Sequence, residues 1–164
     1  MIENGIFDNN RTKYVFITKW NSIIITDENG NQLAKSKGSS LFDNDGSLIL
    51  KVEGNYQIKD SEENLLGSFL LEDYIFFLKD TNGEDILIGE QNPVYDIPYG
   101  INNNAGEKIA DETWKGNRIQ RLVQIGDLTL DIYDLSFDRK TLLGFVWLMM
   151  RYGKYVSNEP GCAY

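Results

Sequence analysis

Along this chain, short apolar segments alternate with clusters of turn residues. Tyr14-Val15-Phe16-Ile17-Thr18 and Ser22-Ile23-Ile24-Ile25-Thr26 are rich in β-branched and aromatic side chains, the composition of strands. Asp27-Glu28-Asn29-Gly30 follows, and Asn31–Lys35 reads as the returning strand before Gly38-Ser39-Ser40 breaks it. Asn-Gly supplies the positive φ values of a tight hairpin at low steric cost. The unit recurs. Leu48–Val52 and Asn55–Lys59 lead through Asp60–Asn64 to Leu65–Leu70. Tyr74–Lys79 leads through Asp80-Thr81-Asn82-Gly83 to Ile86–Gly89, and Ile101 through Asn102–Gly106 to Lys108–Ala110. The last strands are Arg118–Ile125 and Asp127–Tyr133. In the latter, Leu128, Leu130 and Ile132 share one face and Asp127, Thr129 and Asp131 the other, as in a half-buried antiparallel strand. Strands with turn signals every ten or so residues predict a sandwich or barrel built as a meander of hairpins.

The pattern changes once. Leu142–Met150 holds no charged residue, and it is framed by Ser136 or Asp138 as an N-cap and Gly153 as a C-cap. This predicts a helix over 138–152. A helix that is apolar all round is buried all round. The run is about half the roughly 20 residues of a membrane span, so a core helix is the expectation and a transmembrane one is not.

With the helix placed after the last alternating strand, the order of elements resembles the tubby C-terminal-like superfamily, which includes LURP-one-related proteins and phospholipid scramblases. The resemblance rests on the hairpin Ile25–Ala34, the later unit Tyr56–Gly67, and the closing Ser136–Leu148 segment, and it covers roughly 14–154. It implies a mainly β fold: a closed antiparallel barrel of about twelve strands around one hydrophobic C-terminal helix. A barrel removes exposed sheet edges, and its interior needs filling. Gly144 suits a close approach of that helix to the wall.

Composition narrows the function classes. The 164 residues read as a single domain, 1–164, with a loose polar lead-in at 1–12 and a mobile tail at 155–164. The formal net charge of -9 opposes nucleic acid and anionic membrane surfaces at long range. No histidine is present, which removes histidine bases, triads and metal ligands. One cysteine, Cys162, cannot form an internal disulfide, so a cytoplasmic location is expected; the thiol is incidental or an intermolecular cross-link. The N-terminus lacks the basic and apolar regions of a signal peptide.

No catalytic constellation or cofactor motif stands out. Asp43-Asn44-Asp45-Gly46 and Asp80–Gly83 look like calcium loops but have Leu41 and Val52, or Leu78 and Gly89, where an EF-hand needs acids. Both are expected to be turns. The acid pairs Glu62–Glu63, Asp111–Glu112 and Asp131–Asp134 are expected on the solvated surface. Lys115, Arg118, Arg121, Arg139 and Lys140 form the candidate ligand-binding set, because tubby proteins hold phosphoinositide headgroups in a basic pocket. On a strand, Arg118 and Arg121 would point to opposite faces. The expected function is a non-enzymatic binding or regulatory module for a small ligand or protein partner. The alternatives are a lipid-headgroup binder and an enzyme of unrecognised type.

Overall fold

The structure, a computed structural model, describes residues 6–8, 10–90, 94–122 and 126–157; for Asn55, Arg121, Leu122 and 153–157 it describes the backbone alone. Twelve strands close into one antiparallel barrel. They are β1 (Lys13–Thr18), β2 (Ile23–Thr26), β3 (Gln32–Lys37), β4 (Ser40–Asp43), β5 (Leu48–Glu53), β6 (Gln57–Lys59), β7 (Leu65–Glu72), β8 (Ile75–Lys79), β9 (Asp85–Glu90), β10 (Tyr99–Asn103), β11 (Lys108–Lys115) and β12 (Asp127–Ile132). Each strand pairs with its sequence neighbour, and β12 closes the ring on β1 with Tyr14 opposite Leu130 and Phe16 opposite Leu128. A short helix, α1 (Arg118–Leu122), joins β11 to β12, and α2 (Arg139–Ser157) follows β12.

The barrel is filled by α2. Every residue from Leu142 to Met150 except Gly144 is a member of the buried apolar core. The wall supplies the inward half of each strand. Leu128, Leu130 and Ile132 are buried in alternation on β12, as the period-2 pattern predicts. Two glycines set the fit. A Cβ on Gly89 of β9 would lie 3.1 Å from Met149 Sδ, and one on Gly144 would lie 2.5 Å from Leu50 Cδ2 on β5. The helix thus approaches the wall on two sides.

The two ends of the barrel differ. Turns β2–β3, β4–β5, β6–β7, β8–β9 and β10–β11 all lie at one end, called here the turn end, where β12 also finishes and α2 enters. At the other, the loop end, β1 meets β2 and β11 passes through α1 into β12. This follows from the antiparallel registers, in which Lys115 faces Asp127 and Ala110 faces Ile132.

Several expectations need correction. The strand expected over 118–125 is α1 for its described part, and 123–125 lie outside the described residues. The reason is a reciprocal cap: Asn117 N–H donates to Gln120 Oε1 (2.8 Å), and Gln120 N–H donates to Asn117 Oδ1 (2.8 Å). Strand β4 follows the expected break at Gly38-Ser39-Ser40, where no strand is expected before Leu48. Gly38, at φ 59°, reverses the chain tightly enough for Ser40–Asp43 to pair with β3. Helix α2 runs through Gly153 to Ser157. The lead-in is tied down at Ile6, which is fully buried and whose carbonyl accepts from Tyr14 Oη at 2.8 Å. Asp111 and Glu112, expected on the solvated surface, are both buried because β11 continues past Ala110 to Lys115.

Candidate functional site

The turn end is built by one local device used repeatedly. In four turns the first residue is Asp27, Asp60, Asp80 or Asn103, and its Oδ1 accepts from the backbone N–H groups two and four positions on. Its own N–H donates to the carbonyl of that fourth residue, at 2.8–3.1 Å. A short side-chain acceptor thereby satisfies the turn's free donors. The residue in the third position after it has positive φ: Gly30 (87°), Glu63 (67°), Gly83 (83°) or Gly106 (82°). The ladder slips by one residue beside each turn, at Thr26, Lys59, Lys79 and Asn102, the bulge expected after a three-residue hairpin loop. The fifth turn, Asp43–Ser47, shares the backbone bonds but uses Asp45 Oδ1 to accept from Ser47 N–H at 2.9 Å. The two loops resembling calcium sites are therefore turns whose carboxylates already hold backbone donors. Among the described residues no group of three acids, histidines or cysteines could hold a metal.

Into this end comes the first turn of α2. Asp138 is its cap: Oδ2 accepts from Thr141 N–H at 2.9 Å and from Thr141 Oγ1 at 2.6 Å. Ser136, the other candidate cap, donates instead to Asp134 Oδ1. Arg139, 2% exposed, turns away from solvent and donates through Nη2 to the Arg11 carbonyl at 3.0 Å. Arg11 in turn pairs with Asp27 at 3.2 Å. The segment before β1 is thus fastened to the helix by the Arg139 hydrogen bond, to the β2–β3 turn by the Arg11–Asp27 pair, and to β1 through Ile6.

On the other side of α2 the packing is incomplete. A cavity of about 140 Å³ lies between the helix and strands β5 to β9. Leu50, Ile58, Leu78, Phe145 and Leu148 form its floor and walls, with Leu66 and Ile86 among its other apolar members. Leu66 is 38% exposed, so the cavity reaches the surface there. Gly144 contributes no side chain to it, and Asp138, Lys140 and Thr141 are its polar members. Lys140 makes no ion pair within 4.0 Å among the described residues. Its charge does reach Asp60. That carboxyl is held below its usual range first by the Asn64 backbone N–H, with Lys140 a smaller contributor.

The five basic residues singled out from the sequence do not converge. Lys115 lies at the loop end and pairs with Asp96 at 3.2 Å. Arg118 begins α1 at the same end, and the side chain of Arg121 lies outside the described residues. Arg139 and Lys140 are at the turn end, one buried against Arg11 and one at the cavity. Opposing faces of a strand no longer enter, since α1 is a helix; distance along the barrel separates the set instead. The cavity was missed because its members are ordinary core residues. Only Gly144, in an otherwise bulky helix, hinted at it.

A second unusual group lies inside the barrel. Glu112 of β11 is opposite Leu130 and Tyr99 and is 2% exposed. Its Oε2 has no hydrogen-bond partner. Burial pushes its carboxyl up to about 8, so it is neutral at physiological pH. Loss of water is the sole cause of that rise.

Comparison with known proteins agrees on the architecture. No family model matches the chain, and no curated protein matches it. An X-ray structure of a protein from Arabidopsis thaliana, AT5G01750, is similar with a TM-score of 0.65 at 13% identity, covering 92% of this chain and 99% of that one. The likeness is one of fold. No described helix is long and apolar enough to cross a membrane.

Proposed function

We propose that this chain is a non-enzymatic binding module of the tubby-like, LURP-one-related type, and that its ligand seats in the cavity beside Gly144. The observation that carries this reading is the cavity itself. It is apolar, connected to the surface at Leu66, and bordered by polar groups on one side only. Ligand pockets combine apolar walls with a few placed polar groups in this way. The superfamily assignment is supported by the barrel threaded by α2 and by the shared fold of the Arabidopsis protein. A cytoplasmic location accords with the single cysteine.

The headgroup-binding alternative has less support, because its basic residues are divided between the two ends. An enzymatic role lacks a convergent set of reactive groups among the described residues.

Methyl NMR under xenon pressure tests the site. Shift changes confined to the lining methyl groups of Leu50, Ile58, Leu66, Leu78, Ile86 and Leu148 are expected, since xenon enters apolar cavities of this size. A spectrum that xenon leaves unaltered would remove the cavity as a binding site.

A further inference from the structure

We infer that the cavity takes a compact, uncharged ligand: a six-membered ring or similarly small hydrocarbon group carrying one hydroxyl. This rests on the reading of the cavity as the binding site and adds the ligand's chemical class. Size is the first constraint. The volume is about 140 Å³, close to the roughly 150 Å³ of an apolar cavity that holds benzene. A lipid chain or a headgroup would lie largely outside it. Polarity is the second. Apart from α2's first turn, the lining is Leu, Ile, Phe and Gly. The part of the ligand that enters must therefore have no hydrogen-bonding groups, or they would be buried unpaired.

Charge decides the rest. The polar members offer one cation, Lys140, and one anion, Asp138. Asp138 Oδ2 is occupied by the two Thr141 donors, while Oδ1 accepts from no described residue. Lys140 has no ion-pair partner within 4.0 Å among them. A ligand hydroxyl can accept from the ammonium and donate to Oδ1, matching both groups with one oxygen. An anionic ligand is disfavoured by Asp138 and by Asp60, whose carboxyl senses Lys140, in a chain of net charge -9. A cationic ligand meets Lys140 directly. Neither charged form can satisfy both lip residues.

Four probes of one size separate these possibilities: toluene, benzyl alcohol, benzoate and benzylammonium, each titrated into the intact chain and followed by methyl NMR. Benzyl alcohol is expected to bind tightest, roughly three- to tenfold over toluene, the gain from one net hydrogen bond. The two ions are expected to bind at least about tenfold more weakly than the alcohol. Lys140→Met should bring the alcohol down to the level of toluene. Tighter binding of benzoate or benzylammonium than of the alcohol would overturn the ligand class while leaving the site. Failure of all four, toluene included, would remove the site as well. Two variants localise the binding. In Gly144→Ala the new Cβ displaces the Leu50 δ-methyl group into the cavity, and Leu66→Trp covers its opening from a partly exposed position that leaves the core intact. Both should abolish all four titrations. Unaltered binding in Leu66→Trp, which does not depend on repacking α2, would place the probes elsewhere.

Discussion

The two ends of the barrel are closed by opposite means. At the turn end, hairpins of similar length repeat the same hydrogen-bond pattern, in which a side-chain oxygen accepts from backbone N–H groups. Asp27 is held below its usual range by its hydrogen bonds from Asn31, Asp60 by those from Asn64, and Asp134 by Ser136. At the loop end no such pattern recurs. The connections include a β1–β2 turn carrying Trp20, a single turn of 3₁₀ helix at Gly54–Tyr56, two consecutive positive-φ residues at Asp73 and Tyr74, and α1. Trp20, Tyr56, Tyr74 and Ile119 are exposed there. Asp127, where β12 starts, is pushed up by burial, the reverse of the turn acids. The difference shows that an acid's role in this fold is set by what surrounds it. In a turn it replaces missing backbone acceptors; at Glu112 and Asp127 the loss of water is the larger influence.

The largest expected effect separates those two kinds of acid by pH. For Asp27, Asp60 and Asp134 the folded pKa is depressed, so their contribution is complete above about pH 4 and is lost as pH falls further. Glu112 has the opposite sign. The unfolded chain releases its proton near 4.5 and the folded chain keeps it to about 8, so stability falls as pH rises between those values and levels off above. Between pH 5 and pH 7 the loss is roughly 2 to 3 kcal/mol. The window is unusually clean because the chain has no histidine. Urea denaturation at pH 5, 6, 7 and 8 measures it, and Glu112→Gln should flatten the curve and raise stability at pH 8. A flat wild-type profile would mean that water or a partner group reaches Glu112.

The same contrast explains what the sequence disclosed. Local rules govern the turn end, and Asp/Asn-rich turns predicted its hairpins and a β-rich meander, sandwich or barrel; the closed barrel was what the family resemblance implied. The buried helix was legible for a similar reason, since Leu142–Met150 has no polar face. At the loop end the decisive facts are pairings between neighbours in space. The alternating look of Arg118–Ile125 hid the Asn117–Gln120 capping pair that makes α1 helical. Burial of Glu112 depends on β11 extending beyond the apolar residues that announced it. The candidate basic residues are divided for a topological reason: residues close in sequence to the start and end of β12 lie at opposite ends of the barrel. The cavity is a packing remainder, and packing is not written in any one segment.

A medium effect tests the turn device itself. Asp80→Ala removes the Oδ1 that accepts from Asn82 N–H and Glu84 N–H at 2.8 and 3.0 Å. The backbone bonds and Gly83 remain, so the turn survives with two donors left to water. A loss of about 1 kcal/mol is expected, similar to removal of a helix cap. Asp80→Asn should restore most of it, because Asn103 does the same job with an amide. The measurement is the urea midpoint of the three proteins at pH 7. If Asn performs no better than Ala, charge rather than acceptor geometry is what the turn uses, and the likeness to Asn103 is superficial.

The smallest effect belongs to the loop end. Trp20 is 96% exposed, so it contributes almost no burial in the isolated chain. Trp20→Ser should therefore change stability by less than about 0.5 kcal/mol, whereas truncating a buried tryptophan such as Trp147 would cost several times more. Fluorescence gives an independent check. Acrylamide should quench the Trp20 component readily and Trp147 hardly at all, and the readily quenched component should vanish in Trp20→Ser. A stability loss near that of Asp80→Ala would show that Trp20 packs against the chain in solution. The loop end would then be closed by apolar contact as firmly as the turn end is by hydrogen bonds, and the contrast between them would be one of chemistry alone.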